Sequence, residues 1–273
     1  MSRIAVLQMT SGIQPERNIA VILEAIGEAR EGGAEMLFTP EMSLLLDRDR
    51  ARAAAHLGNE AYRGTIERLQ SAAAGHSLWL SVGLPVARGD GRLANRMLVF
   101  PPNGEAPVAY DKMHMFDVEL ATGESWRESA AYAPGERVVT VSDTPAGKLG
   151  LAICYDLRFP ALFEELGQQS CDTISIPAAF TVPTGRAHWH VLLRARAVEA
   201  SAYVVAPAQV GVHEDGRATY GHSLVVDPWG EVVLDLGGEA PGLGFAEIDA
   251  ARIADIRRQL PSLANRRPIP KST

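Results

Sequence analysis

The sequence predicts a layered α/β fold. Two observations carry this: short apolar runs of strand length alternate with amphipathic stretches of helical period, and several such runs end abruptly on polar or turn residues. Hydrophobic residues make up 47% of the 273 positions and charged residues 22%, enough for a substantial core.

The elements follow in order. Arg3 to Met9 reads as a first strand. Pro15 to Arg30 places Ile19, Ile22, Leu23 and Ile26 on one helical face, and Gly32 stands just past its end. Ala34 to Phe38 is the next strand and closes on Thr39-Pro40-Glu41. Asn59 to Ala74 has helical period, and Leu78 to Val86 is again a strand. Arg96 to Phe100 pairs with Pro107 to Tyr110 across a Pro-Asn-Gly turn. Further strands are expected at Val138 to Val141, Leu149 to Ile153, Thr173 to Ile176, Tyr203 to Ala208, Ser223 to Val226 and Gly242 to Ile248. Helices are expected at Pro160 to Gln169, Arg186 to Ala200 and Ala250 to Leu260, the last capped by Asp249. No repeat or linker divides the chain, so residues 1–273 read as a single domain, with 261–273 a tail of little periodicity. The order of strands is not readable from this pattern.

Composition narrows the function. With 26 basic and 33 acidic side chains the net charge is −7, which gives no footprint for nucleic acid or an anionic membrane. No apolar run reaches the length of a membrane helix, and the first residues lack a signal-peptide layout, so a cytoplasmic protein is expected. Two cysteines cannot build a disulfide framework. No Gly-x-Gly-x-x-Gly follows the first strand, and no phosphate-binding loop is present, so no nucleotide cofactor is expected. His188 and His190 stand two apart on a predicted helix and point in different directions. With no nearby ligand evident in the sequence, no metal is expected.

Reactive groups recur at one kind of place. Glu41 follows the strand ending at Phe38, Lys112 the strand ending near Tyr110, and Cys154 the strand ending at Ile153. Strand ends at one edge of a sheet can bring distant residues together. The three types are complementary. A carboxylate takes the proton of a thiol, an ammonium stabilises the oxyanion formed when sulfur attacks a carbonyl, and the N–H of Tyr155 is a second donor. Backbone N–H groups beside the thiol are expected to favour the thiolate. Taken singly, each group has a plainer reading: a core thiol, a solvated carboxylate, a paired lysine. Cys171, with no polar motif around it, reads as structural. Arg194 and Arg196 read as structural ion pairs or dimer contacts, and Trp229 as a packing residue.

Three segments carry a resemblance. Thr-Pro-Glu41, Tyr-Asp-Lys112-Met-His-Met-Phe-Asp117 and Ile-Cys154-Tyr-Asp-Leu-Arg-Phe-Pro160 resemble the motifs of the nitrilase superfamily of carbon–nitrogen hydrolases. The resemblance implies a four-layer α-β-β-α sandwich, a homodimer built across helices, and cofactor-free hydrolysis of a small-molecule amide. It implies that Glu41 is the base, Lys112 the oxyanion stabiliser and Cys154 the nucleophile. Arg127-Glu128-Ser129 resembles the segment that carries a supporting glutamate, which would be Glu128. Arg158, Phe180 and Thr184 are the candidate substrate-binding residues. Arg158 has a second reading, as a tie between the Cys154 turn and a nearby acid.

The second half, with His188-Trp189, Leu193-Arg-Ala-Arg-Ala-Val-Glu199 and Tyr220-Gly-His-Ser223, resembles the Nit-type branch and within it the deaminated glutathione amidases. These release 2-oxoglutarate and cysteinylglycine. His190 stands where that branch usually has Glu, and Arg186 where it often has Pro. Short ω-amides such as 2-oxoglutaramate, N-carbamoyl amino acids, and a non-enzymatic binding or scaffold role remain as alternatives.

Overall fold

The computed structural model describes residues 1–121 and 123–270. Its centre is a pair of six-stranded sheets. The first contains β1 (Ser2–Gln8), β2 (Met36–Phe38), β3 (Trp79–Ala87), β4 (Leu93–Phe100), β5 (Val108–Asp111) and β16 (Gly242–Ile248), in the order β16-β1-β2-β3-β4-β5. The second contains β8 (Thr140–Thr144), β9 (Gly147–Leu151), β10 (Thr173–Ser175), β11 (Tyr203–Ala206), β14 (Leu224–Val226) and β15 (Val232–Asp235), in the order β15-β14-β11-β10-β9-β8. Two hairpins stand apart: β6 (Asp117–Glu119) with β7 (Ser125–Arg127), and β12 (Val210–Val212) with β13 (Ala218–Tyr220). The helices are α1 (Pro15–Glu31), α2 (Arg50–Leu57), α3 (Glu60–Gly75), α4 (Pro160–Gln168), α5 (Val182–Ala200) and α6 (Ala250–Gln259).

Alternation along the strands builds the layers. Ile4, Val6, Met36 and Phe38 enter a core shared with Leu149, Leu151 and Val204 of the second sheet. Their neighbours Ala5, Leu7 and Leu37 face the other way, into a core with Ile19, Ile22 and Ile26 of α1 and Leu69 of α3. On the second sheet Gly150 faces α4, where a Cβ would stand 3.0 Å from Leu166. Trp189, Leu193 and Ala197 of α5 join the same side. The result is helix, sheet, sheet, helix, the four-layer sandwich implied by the sequence motifs. In each sheet three strands run parallel, β1-β2-β3 and β9-β10-β11. They are buried on both faces, which explains runs such as Tyr203-Val-Val-Ala206 with no polar alternation.

Local signals explain the ends. Asp249 caps α6 by accepting the Ala251 N–H at 2.9 Å. α5 starts at Val182, four residues before the expected Arg186, because Pro183 sits in its first turn. Gly185, inside α5, is there for space: a Cβ would meet the Tyr220 side chain at 2.3 Å. α2, β6, β7, β12, β13 and β15 were not expected, being short or poorly periodic. The segment 261–270 lies against α4. Leu263 approaches Gly167, and Arg266 pairs with Glu164. Trp229, expected to pack, is 50% exposed.

Candidate active site

The carboxyl ends of β2, β9 and β10 and the end of β5 converge on one cavity of about 270 Å³. Its lining includes Glu41, Lys112, Glu128, Cys154 and Tyr155, residues drawn from well-separated segments.

Backbone geometry sets up two of them. Cys154 opens the turn after β9 with φ +48°, and Met42, directly after Glu41, has φ +57°. Non-glycine residues there are strained by about 1–2 kcal/mol, and both positions flank the reactive groups. The Glu41 turn is packed against β3 at Gly83. A Cβ on Gly83 would stand 2.5 Å from the Pro40 carbonyl and 2.8 Å from the Glu41 Cα. Gly83→Ala is therefore expected to displace Glu41, lowering kcat and costing about 1–3 kcal/mol of stability. Denaturant unfolding and steady-state kinetics on the same preparation check both effects.

The charged groups are tied tightly. Lys112, 2% exposed, donates from Nζ to Glu41 Oε1 at 3.1 Å and to Glu128 Oε2 at 2.8 Å. Burial alone would pull its pKa down, but the Glu128 and Glu41 carboxylates outweigh it and hold the group well above its ordinary value. Glu41 Oε2 accepts the Ala179 N–H at 2.8 Å. Glu128 Oε2 also accepts the Phe116 N–H at 2.6 Å.

Cys154 is 7% exposed. Burial first, then the Glu41 carboxylate, pushes its thiol well above the ordinary range; Lys112 and the Ala179 N–H act in the opposite direction without reversing it. The expected pull of backbone N–H groups towards the thiolate is present but outweighed. The resting group is a neutral thiol beside a carboxylate, so a base must take its proton during attack. Iodoacetamide labelling of Cys154 is accordingly expected to keep accelerating above pH ~8.5, where an ordinary thiol levels off. A plateau near neutral pH would contradict it. Cys171 is buried and unpaired with Cys154, and burial pushes it up to about 11. It lies outside the cavity, so labelling is expected to favour Cys154.

Two residues that the sequence did not mark hold the site together. Asn95 on β4 donates from Nδ2 to Glu41 at 2.7 Å and to Glu128 at 3.0 Å, fixing the two carboxylates against each other. Asp156, fully buried, accepts the Ile153 N–H at 3.0 Å, the Tyr110 hydroxyl at 2.7 Å and the His114 N–H at 3.0 Å. It thereby clamps the Cys154 turn to the residues flanking Lys112. Arg196 of α5 adds a bond to the Leu157 carbonyl at 2.9 Å, in keeping with its structural reading.

A model of the family described as carbon-nitrogen hydrolase matches residues 3–258. The chain belongs to the carbon-nitrogen hydrolase family. A Synechocystis sp. relative named deaminated glutathione amidase is 39% identical, covering 96% of this chain and 97% of its own. A Homo sapiens relative of the same name is 40% identical, covering 97% of this chain and 82% of its own. Among solved structures, the C. elegans NitFhit protein is 37% identical with a TM-score of 0.89; it covers 97% of this chain, which spans 65% of that longer protein. An amidase from Nesterenkonia sp. AN1, 28% identical with a TM-score of 0.79, is described with acrylamide added at its active-site cysteine; the match covers 95% of this chain and 98% of that one.

Within this carbon-nitrogen hydrolase fold, Phe180 and Thr184 line the cavity, as expected of pocket walls. Arg158 does not. Its guanidinium lies over the Phe180 ring, 5.3 Å from the centroid, and 3.2 Å from His188 Nδ1. No acid pairs with it among the described residues, so the tie to a nearby carboxylate is not formed. His190 also departs from expectation. His188 points elsewhere, but His190 Nε2 meets Asp235 at 3.3 Å, and His222 Nδ1 meets the same carboxylate at 2.9 Å. A carboxylate and a second imidazole therefore do stand beside His190, in a cluster outside the cavity whose ligand atoms lie within 4.8 Å of one another.

Proposed function

We propose that the protein is a thiol-dependent amidase that hydrolyses deaminated glutathione to 2-oxoglutarate and cysteinylglycine. The observation that carries this reading is the meeting of Glu41, Lys112 and Cys154 in one cavity, with Lys112 Nζ 3.1 Å from Glu41. The names of the relatives supply the substrate.

Glu41 takes the proton of Cys154 as sulfur attacks the amide carbonyl. Lys112 and the Tyr155 N–H hold the developing oxyanion. The tetrahedral adduct collapses, the C–N bond breaks, and the amine leaves with the proton held by Glu41. Water then attacks the thioester carbonyl, positioned by Glu128 and deprotonated by Glu41. The acid departs and the thiol is restored. No cofactor or metal enters these steps. Phe180 and Thr184 form the pocket wall beside the acyl group, and Arg158 supports that wall from behind Phe180.

The chain acts as one unit and as a cytoplasmic homodimer; of the expected tail, 261–270 lies against α4, and 271–273 lie outside the described residues. The two free thiols are consistent with a reducing compartment. No helix among the described residues is long and apolar enough to cross a membrane. Exposed Val191 and Val198, seven residues apart on one face of α5, with Val198 packed against Gly230, support an interface across helices.

Incubation with deaminated glutathione is expected to release 2-oxoglutarate and cysteinylglycine in equal amounts. Turnover of an N-carbamoyl amino acid or a nitrile in its place would replace the substrate and leave the thiol chemistry standing. Turnover of nothing, with Cys154 and Cys171 alkylated equally slowly, would favour a scaffold.

A further inference from the structure

Four arginines line the cavity: Arg48, Arg50, Arg127 and Arg217. Three already have acceptors. Arg127 pairs with Glu119 at 2.7 Å and Arg217 with Asp215 at 2.9 Å. Arg50 donates to the Arg127 carbonyl at 3.2 Å. The carboxylates of the lining are engaged too. Asp47 holds Arg52 through bonds of 2.6 and 2.8 Å, and Glu41 and Glu128 hold Lys112.

Arg48 is the exception. Among the described residues its guanidinium has no hydrogen-bond or ion-pair partner, and it lies 4.7 Å from the centroid of the Trp126 ring. The ring restrains the guanidinium by a cation–π contact and leaves its N–H fork open. A planar fork of this kind matches a carboxylate through two parallel bonds.

Position selects which carboxylate. Lys112 and Cys154 are buried, whereas Arg48 is exposed at the rim. A substrate with its scissile carbonyl at Cys154 places its acyl half against Phe180 and Thr184 and sends its leaving half outward. We propose that Arg48, held on Trp126, binds the terminal carboxylate of that leaving half and so selects a peptide-like amide over one that releases only ammonia. The assignment rests on the deaminated glutathione reading.

The test is a thermodynamic cycle between protein and substrate. kcat/KM is measured for wild type and Arg48→Gln on deaminated glutathione and on the same compound with its glycine carboxylate amidated. Amidation is expected to cost wild type roughly 10-fold, mainly in KM, the size of a charged hydrogen bond at a partly exposed site. It is expected to cost Arg48→Gln nothing. Arg48→Lys, with charge but no fork, falls between. An equal loss in wild type and Arg48→Gln overturns the assignment of Arg48 and leaves the substrate intact, as does no loss in either. Absence of wild-type turnover on both compounds overturns the substrate reading itself, and this inference with it.

Discussion

Cys154→Ala is expected to abolish amide hydrolysis, a fall of about 10⁶-fold in kcat, because a cysteine enzyme without its sulfur has no route to the thioester. The fold is expected to survive. Alanine keeps the Cβ, so the cost of φ +48° is unchanged. The removed atom bonds to no partner that would be left as a buried charge, since Glu41 remains tied to Lys112, Asn95 and the Ala179 N–H. Steady-state kinetics and thermal unfolding on one preparation separate the two effects. Undiminished turnover by a folded Cys154→Ala protein would remove the nucleophile from the mechanism.

Lys112→Met is expected to lower kcat by about 10²–10³-fold through loss of oxyanion stabilisation. Unlike the cysteine change, it is also expected to destabilise. Lys112 is the cation between Glu41 and Glu128, at 3.1 and 2.8 Å, in a site almost without solvent. Removing it leaves the buried Glu41 carboxylate facing the half-buried Glu128 carboxylate, at a cost of about 3 kcal/mol. The kinetic loss must therefore be measured on the folded fraction, well below the midpoint of unfolding. Lys112→Arg keeps the charge and serves as the control: it should recover most of the stability while kcat stays low, because the larger guanidinium cannot occupy the same point between the two acids. A Lys112→Met protein that folds normally and turns over normally would exclude Lys112 from both tasks.

Much of this site could be read from the chain because each reactive residue ends a recognisable strand. Glu41 follows a buried run closed by Thr39-Pro40, and Cys154 follows one closed by a polar turn and Pro160. The supporting residues were not legible in the same way. Asn95 stands one residue before the strand expected at Arg96 to Phe100, beside a second polar residue and with no distinguishing period, and only its bonds to Glu41 and Glu128 reveal its task. Asp156 reads as part of a turn, yet it is fully buried and gathers three donors. The rim was hidden for a different reason. Trp126 sits on a three-residue strand paired with another of equal length, too short for alternation to register. Strand order was unreadable because partners are remote: β1 pairs with β16, Ser2 against Ile248. The cluster at His190 was missed for the same reason, since His222 and Asp235 reach it only through the fold. The net shift of the thiol was not legible either: a strand end suggests N–H groups, which do act towards the thiolate, but burial and the Glu41 charge outweigh them at Cys154.

The most direct test of the central claim is the ratio of kcat/KM for deaminated glutathione to that for 2-oxoglutaramate, both followed by release of 2-oxoglutarate. The account predicts a ratio of about 10 or more, since the peptide-like amide adds a leaving-half carboxylate worth one charged hydrogen bond. A ratio well below one would make the short ω-amide the substrate of this cavity and contradict the account.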